Sequence, residues 1–282
     1  MEQVDYCKPS RSQSLFRTVD AAYFSERAEY NVENQMHPID LLFHSMIEVE
    51  PYPTGVVNVP GRIAGTAFFP GGYGLWQADG PIPQDPIMIL GHDFHSEVGF
   101  RESFDRGGEV VMEKGRPVMG PTWRSLVCLL KEADIDPSSC FFTNAYMGLR
   151  AGSGTTGRFP GSTDPGFVER CRAFLTLQIR TMRPRAILTL GAWVPSFIGP
   201  LSPELACWTK TTSFADIDNV GPMITDVRFP GAPDVLCAVG ALTHPSLRGP
   251  NVRHRHYSGA QGHPAELQLI RDVLVHATAS ST

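Results

Sequence analysis

Three short polar stretches each follow an apolar run, and together they hold an acid, an amide and an imidazole. Gly91-His92-Asp93-Phe94-His95 follows Ile87-Met88-Ile89-Leu90, Thr143-Asn144-Ala145 follows Phe141-Phe142, and Thr243-His244-Pro245-Ser246-Leu247-Arg248 follows a run from Val235 to Leu242. A carboxylate such as Asp93 can stabilise positive charge that develops during a reaction and orient a water against it. An imidazole such as His244 can donate a ring N–H to a developing anion, a task a neutral histidine performs. Asn144 offers both a donor and an acceptor from a fixed strand end. Taken singly, each has an ordinary reading: a turn aspartate, a loop histidine, an asparagine at a strand–loop junction. Their coincidence on one sheet edge is what points to chemistry.

Positioning them requires strands of a common direction. Pro86–Gly91, Cys140–Asn144, Arg185–Gly191 and Val235–Thr243 read as four short apolar strands. Helices alternate with them. Thr122 to Ala133 places Trp123, Leu126, Val127 and Leu130 on one face with Thr122 as its cap, and Asp164-Pro165 opens a long helix that Pro184 stops. Glu266 to His276 closes the chain. This alternation predicts an α/β fold, a three-layer α/β/α sandwich with a central, mainly parallel four-stranded sheet, whose site lies at the carboxyl ends of the strands. Residues 1–60 read as a helical, acidic elaboration packed on the same core, and residues 60–83, with Phe68, Phe69, Tyr73 and Trp76, as irregular. Cys128 and Cys140 read as small buried hydrophobes, and Trp76, Trp123, Trp193 and Trp208 as core or loop anchors.

The composition sets outer bounds. With 282 residues, 42% hydrophobic and 10% aromatic, the chain is too apolar for disorder. No apolar run reaches the roughly 20 residues of a membrane span. The amino terminus lacks a secretory pattern, so a soluble cytoplasmic monomer is expected. Residues 1–141 hold 11 basic against 20 acidic side chains, and residues 142–282 hold 13 against 9. Only Lys8, Lys114, Lys131 and Lys210 are lysines, so arginine carries the positive surface, and its planar fork suits phosphate. A basic carboxyl-terminal half permits a nucleic-acid partner without demanding one. No C-x-x-C pair occurs, and His92, His95, His254 and His256 have no metal-ligand spacing.

At its three polar stretches the sequence resembles the uracil-DNA glycosylase superfamily, which carries a first motif after a strand glycine, a strand ending in Asn, and a late His-Pro-Ser loop. Further pieces, in order, resemble its bacterial iron–sulfur branch: Gly115-Arg116-Pro117-Val118-Met119-Gly120, Thr143-Asn144, Arg158-Phe159-Pro160, Cys171-Arg172-Ala173-Phe174-Leu175, and Met182 to Gly191. The match spans roughly residues 86–260. The resemblance implies a monofunctional DNA glycosylase over residues 61–282 that flips a nucleotide out of the stack and hydrolyses its base–sugar bond, leaving an abasic site. Asp93 would face the sugar, His244 the departing base, and Asn144 the pyrimidine edge, with His92, Phe94, His95 and Val118 completing base recognition. Ser246, Leu247, Arg248, Arg253 and Arg255 would contact DNA, Leu247 or Arg248 acting as the wedge. No lysine lies near the motifs, so strand cleavage by the enzyme is not expected.

Departures from the family bear on cofactor and substrate. Of the cluster cysteines only Cys171 is matched, and Gly148 stands where another is expected, so no iron–sulfur cluster or other cofactor is expected. Phe94 replaces the proline of the classical motif. His95 stands where a tyrosine guards the C5 edge, and Val118 stands where a phenylalanine stacks on the base. The pocket is therefore expected to take uracil or a modified, C5-bulky pyrimidine, in DNA repair or in defence against modified foreign DNA. Competing readings are a catalytically silent DNA-binding module and a hydrolase of free nucleosides. The glycine-rich stretch Gly152 to Gly157 lacks a P-loop ending and reads as a surface loop.

Overall fold

Apolar runs that alternate with helices have one economical use, a parallel sheet covered on both faces. The computed structural model of the protein describes residues 36–61, 68–71, 82–105, 110–113 and 116–279. Its central sheet contains β1 (Ile87–Gly91), β2 (Cys140–Asn144), β3 (Ala186–Leu190), β4 (Met223–Phe229) and β5 (Ala232–Leu242), in the order β2-β1-β3-β5-β4. The first four strands of that order are mutually parallel, and β4 runs antiparallel on the β5 edge. The α/β sandwich is as expected, but the sheet has five strands rather than four. β4 escapes a pattern search because Asp226, at φ 55°, breaks its alternation and the register shifts between Ile224 and Val227.

Helices α1 (Pro121–Glu132), α2 (Pro165–Met182) and α3 (His263–Ala279) supply the outer layers. On one face Ile87, Ile89, Phe142, Leu188 and Leu242 join Leu126 and Leu130 of α1 and Leu269 and Val273 of α3 in a single buried core. Gly240 admits α3, since a Cβ there would lie 2.8 Å from Val273. On the opposite face Phe69 packs on Phe141 and Phe174 at ring distances of 5.8 and 6.3 Å. Thr143 Oγ1 there donates to Gln178 Oε1 of α2 at 2.7 Å. Strands buried on both faces need no alternation, which is why they read as continuous apolar runs.

Asp164 caps α2 as its sequence implies, accepting from the Phe167 N–H at 2.8 Å. α1 starts earlier than expected: Gly120 is its cap and Pro121, lacking an N–H to satisfy, takes the first helical position ahead of Thr122. Cys140 is buried, whereas Cys128 lies exposed on α1, contrary to its expected burial. Val110–Glu113 and Arg116–Met119 form a separate antiparallel hairpin.

The chain divides into residues 1–41 and residues 42–282. Residues 42–60 group with the unit that holds the sheet. Arg170 of α2 ties them there, donating to the Val49 carbonyl at 3.0 Å and the Pro51 carbonyl at 2.6 Å. The readings made for residues 1–35, Tyr73 and Trp76 lie outside the described residues. No helix among the described residues is long and apolar enough to cross a membrane.

Candidate active site

The parallel register sets Gly91 opposite Asn144 and Leu190 opposite Leu242, so the loops after β1, β2, β3 and β5 leave the sheet at one edge. Gly91 is required there, because a Cβ would collide with Asn144 Oδ1. The Asn144 side chain is only 4% exposed, yet its amide has no hydrogen-bond partner among the described residues. Beyond β3, Gly191 turns the chain at φ 98°, and a Cβ on it would lie 3.6 Å from that of His244. The parallel register sets the three polar stretches at this one edge, and the charge of Asp93 reaches His244 across it.

Asp93 is fully engaged. Its Oδ2 accepts from Arg150 Nη2 at 2.9 Å and from His92 Nδ1 at 2.8 Å, while Oδ1 accepts from Arg150 Nε at 3.3 Å and the His95 N–H at 3.1 Å. A carboxylate has about four acceptor positions, so none remains to orient a water, contrary to the sequence expectation. Burial alone would raise this carboxyl, but the hydrogen bonds from His92 and Arg150 outweigh it and hold it at about 2, against an ordinary 3.8. Asp93 is therefore a fixed anion rather than a base.

Arg150 is itself anchored. It donates to the carbonyls of Thr156, Gly157 and Arg158 at 3.2, 2.9 and 3.1 Å, and lies over the Phe159 ring. The glycine-rich segment, exposed as expected, thus turns its carbonyls onto the guanidinium that grips Asp93.

His244 has a defined tautomer. The Ser246 N–H donates to its Nδ1 at 3.3 Å, and Ser246 Oγ lies 2.8 Å from the same atom. An accepting Nδ1 leaves the proton on Nε2, free to donate. Burial pulls this imidazole below its ordinary value, against the opposing charge of Asp93. Behind the loop, Glu266 accepts from the Thr243 N–H and hydroxyl, which fixes the backbone entering His244.

No family model and no curated protein matches this chain. Its chemistry must be read from the geometry.

The remaining expected residues divide. His92 touches the site through Asp93, and its ring lies 5.1 Å from Trp193 and 5.2 Å from Tyr146. Phe94 is buried. His95, at φ 84°, gives its backbone N–H to Asp93 while its ring pairs with Ser96 Oγ and lies against Gly99. Val118 pairs with Val111 in the separate hairpin. Leu247 is 55% exposed and Arg253 is exposed, as a DNA contact requires.

Two expected DNA contacts are corrected. Arg255 is 1% exposed, ion-paired to Asp218 and Glu266, and stacked on Phe214. Arg248 is turned inward to Glu266, Thr243 and His263. Both guanidiniums neutralise buried carboxylates and have no fork left for phosphate. Trp193 also departs from expectation. Trp123 and Trp208 are buried, but Trp193 is 48% exposed beside His92.

The residues do not fit an iron–sulfur cluster. Burial pushes the Cys171 thiol up to about 12, and a side chain at Gly148 would meet Val56. Sequence reasoning missed Arg150 and Tyr146, and named Phe159 only within a family-like stretch without a role. The only signal was an arginine six residues beyond Asn144, and nothing local ties it to Asp93.

Proposed function

We propose that the protein is a monofunctional DNA glycosylase that hydrolyses the base–sugar bond of an extruded uracil or modified pyrimidine. The observation that carries this reading is the meeting, at one sheet edge, of an ionised Asp93 with an Asn144 amide and a His244 Nε2–H that have no partner among the described residues. The residue pattern shared with the uracil-DNA glycosylase superfamily supports it.

Breaking a C1′–N bond leaves positive charge on the deoxyribose and negative charge on the base. A carboxylate held near 2 stays charged throughout physiological pH and stabilises the cationic sugar. The Nε2–H of His244 stabilises the oxyanion at the pyrimidine carbonyl, and a neutral imidazole does so without needing to transfer its proton. Asn144 reads the Watson–Crick edge with its donor and acceptor. Leu247 fills the space left by the extruded nucleotide, and Arg253 meets phosphate. The absence of a tyrosine at position 95 leaves the C5 edge open to bulkier bases.

Incubation with single- and double-stranded oligonucleotides carrying uracil, hydroxymethylcytosine or glucosylated cytosine, followed by alkali, reads out abasic sites. Cleavage of at least one substrate that Asp93→Asn and His244→Ala both slow supports the reading. Wild-type rates in both variants overturn the roles.

The saturation of Asp93 favours one second reading, a DNA-binding module that retains the fold without base release. Salt-sensitive DNA binding with no abasic site on any substrate supports it.

A further inference from the structure

We propose that His92 is the base that activates water in this site. The inference rests on the glycosylase reading and assigns within it the step that Asp93 is unable to perform.

Hydrolysis needs a water aligned on C1′ and an acceptor for its proton. Asp93 spends its acceptor positions on His92, Arg150 and the His95 backbone. An ionised carboxylate only accepts, so the contact at 2.8 Å places the proton of a neutral His92 on Nδ1 and leaves the Nε2 lone pair open. That Nε2 has no partner among the described residues, and the side chain is 14% exposed, so water reaches it. Tyr146, Phe159 and Trp193 surround the ring at centroid distances of 5.2, 6.4 and 5.1 Å and hold its plane. A base oriented through its far nitrogen by a carboxylate is the arrangement general-base catalysis uses. His244 does not compete, because its lone pair on Nδ1 faces Ser246. The titratable groups facing His92 are Asp93 on its own loop, Tyr146 after β2 and His244 after β5, with Arg150 reaching it through Asp93.

The step balances without a co-reactant. The C1′–N bond breaks and its electron pair leaves with the base. The water oxygen bonds to C1′ as its proton passes to His92 Nε2. The base departs as an anion steadied by His244 and takes a proton from solvent, and His92 returns its proton to solvent.

The test measures single-turnover base release against pH for wild type, His92→Gln and His92→Asn. Binding of a non-cleaved abasic-analogue oligonucleotide is measured in parallel, and an unchanged affinity shows that the variants are folded. The proposal expects a fall of about 100-fold or more, with binding held within about twofold. It also expects the acid limb of the wild-type profile to disappear in both variants. A rate within about threefold of wild type, or an acid limb that survives in the variants, overturns the assignment to His92 and leaves the glycosylase reading standing. Wild-type protein that binds DNA but releases no base removes that reading and this inference with it.

Discussion

Arg150 grips Asp93 at two points, Nη2 to Oδ2 at 2.9 Å and Nε to Oδ1 at 3.3 Å, with side-chain exposures of 8% and 11%. The same guanidinium binds three successive carbonyls of the 156–158 segment. The carboxylate and the glycine-rich loop are thus parts of one unit. Arg150→Ala takes the guanidinium from a buried carboxylate and is expected to cost about 3–5 kcal/mol. Urea unfolding measures this. Arg150→Lys keeps the charge but loses the fork, so it should recover part of the stability and little of the activity.

Acid should expose the Asp93 pairing. A carboxyl depressed to about 2 contributes stability that is complete above its ordinary 3.8 and is lost as pH falls toward the folded value. Between pH 5 and pH 2.5, wild type should lose about 1–2 kcal/mol more than Asp93→Asn. Equal losses in the two proteins would count against the pairing.

Gly91→Ala should act through Asn144. The added methyl meets Asn144 Oδ1 at the strand end, at a cost of about 1–3 kcal/mol where neighbours must shift. Base release should fall more in this variant than its stability predicts. In the double variant with Asn144→Ala, the two activity losses should not add.

Arg253 and Arg255, two residues apart, should behave oppositely. Arg253→Ala removes an exposed cation and should lower the slope of log affinity against log salt by about one without shifting Tm. Arg255→Ala leaves Asp218 without its cation, takes one of two cations from Glu266, and should lower Tm sharply. Oligonucleotide titrations at several salt concentrations, with calorimetry, separate the two.

The sequence by itself determined the four parallel strands of the sheet and the edge at which their polar ends lie. Ile87–Gly91, Cys140–Asn144 and Ala186–Leu190 are largely apolar and buried on both faces, and they end in Gly91, in Asn144 and just before Gly191, a local signal that survives without knowledge of partners. The Asp164 cap and Pro165 were equally legible, because a cap acts within one turn. β4 was not, since an edge strand with a bulge carries no continuous pattern. Only the tertiary structure decided which arginines face outward, because exposure depends on carboxylates distant in sequence: Asp218 for Arg255, Glu266 for Arg248, Asp93 for Arg150. It also decided what Asp93 has left to offer. Residue type makes a carboxylate able to accept protons, but the donors that fold around it determine whether any lone pair remains.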